Sequence, residues 1–214
     1  PLEISAFGSP TVDGRHTAGE WSNASRVNVT MRAGDGEPVP ATVLFQNDQQ
    51  NLYMSIVYDR NSFDPYTSTD MYLDEDDDGD PYEAGEDVLY FNSSPNGFPW
   101  FGDQHQSHAM CAPHTCWDQD VNQGGTSDGG SRQTYAGGTF TVEMQHPING
   151  GDRFDLAAIL GQTIGIRLNH LIWDVNDAQY VQFPEWTESL APWTLAAPAD
   201  TCVLTPPGLV SWWT

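Results

Sequence analysis

The stretch LDEDDDGDPYEAGEDVLYF, residues 73–91, holds the densest run of acidic side chains in the sequence. Nine carboxylates fall within it, and residues 61–131 contain no Lys or Arg to balance them. Carboxylates packed this closely repel one another, and solvation alone is a poor way to hold them in one loop conformation. The composition therefore predicts that a divalent cation binds here.

The spacing of these acids is typical of a calcium loop. Asp74, Asp76 and Asp78 alternate, and Gly79 stands sixth, where such loops turn sharply. Strand-like runs flank the loop, so we predict calcium between two strands and not in a helix-flanked EF-hand; a merely solvated acidic loop is the alternative. The predicted Ca²⁺ ligands are Asp74, Asp76, Asp78, Asp80, Glu83, Glu86 and Asp87.

The charge of the whole chain excludes several classes of partner. The 214 residues carry a formal net charge of −23, and all seven basic residues are Arg. Such a surface repels phosphate backbones and anionic lipids, which argues against nucleic-acid and membrane-surface binding. No apolar run approaches the ~20 residues of a membrane span, so we expect no membrane insertion.

Apolar and polar residues alternate in many short segments. Residues 41–46 and 51–58 are β-branched and aromatic runs separated by a polar turn, which predicts a hairpin. Further strands are predicted at residues 27–31, 70–73, 87–91, 139–145, 163–169, 178–183 and 193–197. Only residues 153–161 look briefly helical, and residues 98–138 show little periodicity, as a long loop would. The pattern predicts an all-β, antiparallel jelly-roll-like β-sandwich with long loops and at most one short helix.

The cysteines indicate an oxidising compartment. Cys111 and Cys116 are close enough for a local disulfide, whereas Cys202 is left over near the C-terminus. Calcium capture also favours the outside of the cell, where millimolar calcium fills sites of modest affinity. We therefore expect a secreted, extracellular or cell-surface protein.

Histidines surround the same two cysteines. His105, His108 and His114 lie within a few residues of the thiols, so a zinc or copper site is an alternative to a disulfide-pinned polar loop. Oxidation of the thiols would remove them as ligands, and the spacing of the histidines alone fixes no geometry.

Five motifs occur in a fixed order along the chain: PTVDG with GEW (10–21), NLYMSIVYD (51–59), DMYLDEDDDGDPYEAGEDVLYF (70–91), TVEMQHP (141–147) and GQTIGIRLN (161–169). In this order they resemble family 9 carbohydrate-binding modules and the wider DOMON-like superfamily. The resemblance covers residues 10–197 and implies a jelly-roll β-sandwich with calcium at Asp74, Asp76 and Asp78. It also implies sugar binding between aromatic side chains, in a module appended to secreted glycan-degrading enzymes.

The resemblance leads us to expect one calcium-binding, carbohydrate-binding-module-like domain over residues 1–200, with residues 98–138 as a long loop insertion. Residues 201–214 are either a linker, a closing strand, or the start of a further laminin-G-like domain.

Tryptophans in polar loops are the candidates for sugar stacking, because a pyranose offers one apolar face and a polar rim. Trp100, Trp117 and Trp186 have such surroundings and are the predicted ligand-binding residues. The other tryptophans considered, which adjoin strand-like segments and are expected in the core, are Trp21, Trp173 and Trp193.

Three functions are compatible with these features, and none is catalytic. The first is a non-catalytic, calcium-stabilised module that attaches a larger secreted or surface protein to polysaccharide. The second is a calcium-dependent adhesion module that assembles with copies of itself or with other surface proteins, and the third is a haem-binding DOMON-like domain. Residues 125–129, GTSDG, match a nucleophile elbow only by chance, since no buried strand and helix flank the serine.

Overall fold

Two antiparallel β-sheets packed face to face make up the molecule. The computed structural model describes residues 6–32, 38–60, 66–78, 85–93, 99–107, 117–174, 177–183 and 191–198. Within these residues no helix is long and apolar enough to cross a membrane. The predicted antiparallel, jelly-roll-like β-sandwich is confirmed.

The described residues form thirteen strands and one short 3₁₀ helix. In chain order they are β1 (Ala6–Phe7), β2 (Ser25–Arg32), β3 (Pro38–Asn47), β4 (Asn51–Asp59), β5 (Tyr66–Asp74), β6 (Asp87–Ser93), β7 (Pro99–Gln106), β8 (Trp117–Gln119), the 3₁₀ helix (Asp120–Gln123), β9 (Gly130–Ala136), β10 (Thr139–Pro147), β11 (Thr163–Asp174), β12 (Asp177–Phe183) and β13 (Ala191–Thr194).

The first sheet has the order β1–β3–β4–β10–β9, and β2 also pairs with β3. Its pairs are antiparallel except for β1, which lies parallel to the end of β3. The second sheet has the order β12–β11–β5–β6–β7–β8, with β13 also on β11, and all its pairs are antiparallel.

The apolar core lies between the two sheets. Phe45 and Met54 from the first sheet and Leu89 from the second are fully buried in one continuous cluster. Trp193 on β13 closes this cluster, with its ring centroid 5.1 Å from that of Phe45. Fully burying each such side chain contributes about 1.5–3 kcal/mol, so the packing of alternate residues holds the two sheets together.

The N-terminal segment covers the outer face of the first sheet. Trp21 is buried there against Leu44 and Tyr53 in a second apolar cluster, and its indole Nε1 donates a hydrogen bond to Glu143 Oε1 at 3.1 Å. Glu143 Oε2 also accepts hydrogen bonds from the backbone N–H groups of residues 13 and 14. One buried carboxylate on β10 thus ties the whole segment to the sheet.

Most of the predicted strands are present. The predicted hairpin of residues 41–46 and 51–58 is the β3–β4 pair, and Trp21 and Trp193 are core residues as expected. The side chain of Trp173 lies outside the described residues. The other predicted strands correspond to β2, β5, β6, β10, β11, β12 and β13.

Two expectations from the sequence are wrong. Residues 153–161 form no helix, but an irregular segment held to the chain by an isolated bridge between Asn149 and Ala157. Residues 98–138 are not one long loop, because they contain β7, β8, the 3₁₀ helix and all of β9. The strand β7 was missed because its core-facing positions hold Asp103 and His105, which break the apolar alternation.

Gly129, just before β9, lies close to the backbone of β10. Its φ is +94°, and a Cβ atom at this position would clash with the backbone oxygen of Gln145 on β10. We expect Gly129→Ala to lower the free energy of unfolding by about 2 kcal/mol or more, because both the backbone conformation and the space are unavailable to alanine. Urea denaturation measures this change.

The neighbouring Gly130→Ala is the matched control. No atom lies within 4 Å of a Cβ placed at Gly130, and its φ is outside the left-handed region. We expect it to change stability by no more than about 0.5 kcal/mol. Equal losses in the two variants would contradict the proposed cause.

Candidate functional site

Four aromatic rings in mutual contact lie on the outer face of the second sheet. The ring centroid of Tyr90 is 5.3 Å from that of Trp100 and 6.1 Å from that of Trp117. Tyr72 is 6.1 Å from Trp117 and completes the group. Trp100 is 41% exposed, so its ring is accessible to a ligand. We call these four residues the aromatic face.

The strand register explains why the rings come together. Met71, Leu73, Leu89 and Phe91 point into the core, so the alternate residues Tyr72 and Tyr90 point outward. Trp100 and Trp117 lie on the adjacent strands β7 and β8. The aromatic face therefore follows from the same alternation that builds the core.

Gly102 positions the Trp100 ring. The glycine pairs with Tyr90 across the β6–β7 ladder, and a Cβ at this position would lie 2.6 Å from Cη2 of the Trp100 ring. The absence of a side chain lets the indole lie across β7 and reach Tyr90. A ring held in one orientation is what stacking on a flat ligand requires.

Polar atoms without hydrogen-bond partners among the described residues border the rings. Asp70 Oδ1, on the same outward face of β5, is one of them. Gln104 Oε1, Gln106 Nε2 and Trp117 Nε1 are also buried and unpaired. Buried polar groups normally find partners, so these atoms are unsatisfied within the described part of the chain.

The Asp70 carboxyl has an altered acidity. Burial raises its pKa from the ordinary value of 3.8 to about 7, although a hydrogen bond from Asn169 acts in the opposite direction. Near neutral pH this carboxyl can therefore either donate or accept a hydrogen bond.

The structure brings together two of the three predicted ligand-binding tryptophans, Trp100 and Trp117, whereas Trp186 lies outside the described residues. Tyr72 and Tyr90 were not predicted. The available signal was their alternation with the apolar residues of DMYL and VLYF, which requires them to point away from the core.

The acidic loop begins where β5 ends. Carboxylate oxygens of Asp74, Asp76 and Asp78 lie within 4.8 Å of one another. Asp74 Oδ1 accepts a hydrogen bond from the N–H of Asp77 at 2.7 Å, and Asp77 turns the chain with a φ of 54°. The turn folds the three alternate carboxylates toward one point, as the spacing predicted.

Glu86 extends this group from the other side of the loop. Its Oε2 accepts a hydrogen bond from the N–H of Glu75 at 3.2 Å. Burial and the charges of Asp74 and Asp76 raise the pKa of Glu86 to about 8. A carboxyl whose ionised form is this strongly disfavoured lies in an environment that lacks positive charge. All these donors are oxygens, which hard cations such as Ca²⁺ prefer.

The remaining predicted site residues are located elsewhere. Asp87 lies not with the three alternate acids but in a buried group with Asp103 and His146. His105 is buried on β7, and its Nδ1 is 2.6 Å from Asp120 Oδ1. The predicted ligands and disulfide partners that lie outside the described residues are Asp80, Glu83, His108, Cys111, His114 and Cys116.

The titration of Asp70 makes the stability of the folded protein depend on pH. Because its folded-state pKa is raised from 3.8 to about 7, the stability it contributes is complete below about pH 4 and is lost as the pH rises through 7. Asn cannot ionise, so Asp70→Asn should gain stability over the parent between pH 4.5 and pH 8. Three pH units at about 1.4 kcal/mol each limit the gain to about 4 kcal/mol, and urea denaturation at the two pH values measures it.

Asp118→Asn is a control of opposite sign. Hydrogen bonds from Gln123 and Asn122 lower the pKa of this exposed carboxyl, so its ionised form favours the folded state above the normal pKa. The Asp118 variant should gain nothing at pH 8. A pH-independent difference for Asp70→Asn would contradict the assignment.

Comparison with known proteins shows which solved structures have a similar fold. No protein-family model matches the sequence, and no curated protein does. The chain is similar to a family 9 carbohydrate-binding module from Caldicellulosiruptor kristjanssonii in complex with cellotriose, with a TM-score of 0.58 and 16% identity over 94% of this chain and 96% of that one. A structure of such a module from the same organism in complex with glucose gives a TM-score of 0.57 and 16% identity, over 92% and 96%. This chain has the fold of a family 9 carbohydrate-binding module.

Proposed function

We propose that the protein is a non-catalytic carbohydrate-binding module, stabilised by calcium, that attaches a larger extracellular protein to polysaccharide. The aromatic face carries this proposal. It combines an accessible indole ring with the half-buried carboxyl of Asp70 on one side of the sheet, and a sugar ring makes both stacking contacts and hydrogen bonds.

Trp100 would stack on the apolar face of a pyranose. Its ring is the most exposed of the four, and Tyr90 supports it from the side. The half-buried side chain of Asp70, opposite Tyr90 in the β5–β6 pair, would then face the hydroxyl groups at the rim of the sugar. Such contacts bind and orient a glycan, and the proposal assigns no catalytic residue.

The similar solved structures support a glucose-based ligand. Those modules were solved with cellotriose and with glucose. A β-linked glucan chain presents flat, equatorially substituted rings, which suit an aromatic surface. We therefore propose cello-oligosaccharides, or the polysaccharides that contain them, as the first ligands to test.

Calcium would brace the strands that carry the rings. The alternate acids Asp74, Asp76 and Asp78 follow directly after Tyr72 on β5, and Glu86 stands directly before β6, which carries Tyr90. A cation held between them would fix the end of the β5–β6 hairpin. Extracellular calcium concentrations suit a site of modest affinity.

The first test of sugar binding is Trp100→Ala. We expect it to weaken cellotriose binding at least tenfold, or about 1.4 kcal/mol, because the stacking surface is lost. Isothermal titration calorimetry at pH 7 measures the affinity. Ile159→Ala removes another exposed apolar side chain, outside the aromatic face, and should leave the affinity unchanged.

The Gly102→Ala variant tests whether sugar binding depends on the position of the Trp100 ring and not only on its presence. The three atoms nearest to the added methyl group all belong to the Trp100 ring, at 2.6–3.1 Å, so we expect the indole to be displaced while the protein still folds. Cellotriose affinity should therefore fall although every aromatic residue is present. Full affinity in both the Trp100 and Gly102 variants would exclude the aromatic face as the binding surface.

The calcium loop is tested by titrating the metal-free protein with CaCl₂. Binding to the folded state alone stabilises it by mass action, by about 2.7 kcal/mol at 100 times the Kd. We expect Tm to rise by about 5 °C or more, since 1 kcal/mol shifts the Tm of a chain of this size by about 2–4 °C. Asp76→Asn should abolish most of the rise.

Asp77→Asn is the matched control within the same loop. It removes one negative charge, as Asp76→Asn does, but at a position outside the alternating trio, and Asn tolerates the left-handed backbone of Asp77. The calcium response of this variant should match that of the parent. If both variants lost the response equally, net charge and not coordination would explain it.

A further inference from the structure

A second group of ionisable side chains is buried at one end of the apolar core. Asp87 begins β6, Asp103 lies on β7, and His146 lies on β10 of the opposite sheet. Their exposed fractions are 2%, 1% and 0%. Each continues a core-facing row, so the alternation that buries Leu89 and Met144 also drives these polar groups between the sheets.

The three side chains face one another across a gap. His146 Nε2 is 3.5 Å from Asp87 Oδ2 and 3.6 Å from Asp103 Oδ1. Both distances are too long for hydrogen bonds between N and O atoms. Ligands at about 2.1 Å from a tetrahedrally coordinated ion are about 3.4 Å apart, so these separations match atoms that share one metal ion.

Most of the polar atoms around the gap have no hydrogen-bond partner among the described residues. Both ring nitrogens of His146 are unpaired, as are Asp103 Oδ1 and Asp87 Oδ1, whereas Asp87 Oδ2 accepts a hydrogen bond from the N–H of Leu156 at 3.1 Å. An unsatisfied buried polar atom costs about 1–3 kcal/mol, and more when it is charged. His105 provides the contrast, because its Nδ1 is 2.6 Å from Asp120 Oδ1 and its ring stacks on Phe154.

Further acids increase the negative charge around the gap. Asp103, Asp128 and Asp155 have carboxylate oxygens within 4.8 Å of one another, and Asp155 Oδ1 is also unpaired. The buried group thus has more carboxylates than imidazoles within reach of one another.

Space for an additional ligand adjoins the group. A cavity of about 20 Å³ is lined by Glu86, Asp87, Asp155 and Leu156, among others. This volume holds one water molecule. A four-coordinate ion bound by three side chains needs one further ligand, and the unpaired Oδ1 of Asp155 is a candidate for it.

We propose that Asp87, Asp103 and His146 bind a divalent first-row transition-metal ion of the zinc type. Ca²⁺ takes oxygen ligands, whereas an imidazole nitrogen combined with carboxylates suits zinc and its neighbours. The ion links β6 and β7 of the second sheet to β10 of the first, and so cross-links the two sheets. This site is separate from the acidic loop and does not depend on sugar binding.

Metal analysis of the 214-residue chain tests the proposal. The metal-free protein is loaded with ZnCl₂ in the presence of excess CaCl₂, desalted and analysed for bound metal. We expect one zinc ion per chain in the parent and in Asp76→Asn, and less than a tenth of that in Asp103→Asn or His146→Gln. No zinc in the parent, or equal zinc in a folded His146→Gln variant, overturns the proposal.

Co²⁺ gives a test that needs no variant, in case the buried substitutions prevent folding. Loaded into the intact chain, Co²⁺ should give the intense visible absorption of a four-coordinate site with a nitrogen ligand, and one equivalent of Zn²⁺ should remove it. Only the weak spectrum of six-coordinate Co²⁺, or displacement by Ca²⁺ at the same concentration, would refute a zinc-type site.

Discussion

The packing of alternate strand residues between the two sheets is the constraint on which the rest of the structure depends. In β6, Leu89 and Phe91 point into the core. Their burial leaves no choice for the residues between and before them: Tyr90 must face outward and Asp87 inward. One strand of seven residues therefore contributes both to the aromatic face and to the buried group around His146. A register shift by one residue would bury the tyrosine and expose the apolar pair.

Negative charge is distributed over the fold in two different ways. Asp74, at the end of β5, is buried, but Asp76 and Asp78 are exposed and all three offer only oxygen ligands, so water would replace the proposed calcium ion at moderate cost. The group of Asp87, Asp103 and His146 is buried, and there no solvent can replace the missing charge. Because both groups border β6, metal binding and the order of the aromatic face share one structural element.

The sequence alone predicted those features that depend on neighbouring residues. Alternation predicted the β3–β4 hairpin, and local spacing predicted that the carboxylates of Asp74, Asp76 and Asp78 lie together. Polar surroundings led to Trp100 and Trp117, whose role in ligand binding stays a prediction. The strand β7 was not predicted, because Asp103 and His105 occupy positions where an ordinary strand has apolar residues. The gap between the carboxylates and His146 was not predicted either, since it arises from strands far apart in the chain that meet only across the sandwich.

The distribution of charge also bears on which glycans the proposed module can bind. A net charge of −23 repels uronate-rich and sulfated polymers over about 8–10 Å at physiological salt. Under the proposed function, stacking on Trp100 is indifferent to that field, so a neutral glucan would bind without an electrostatic penalty. Asp70, which the strand register places opposite Tyr90, has a raised pKa of about 7, which reduces the negative charge beside the rings. Under the proposed function, the acidic surface therefore excludes charged polymers while the aromatic face selects a neutral one.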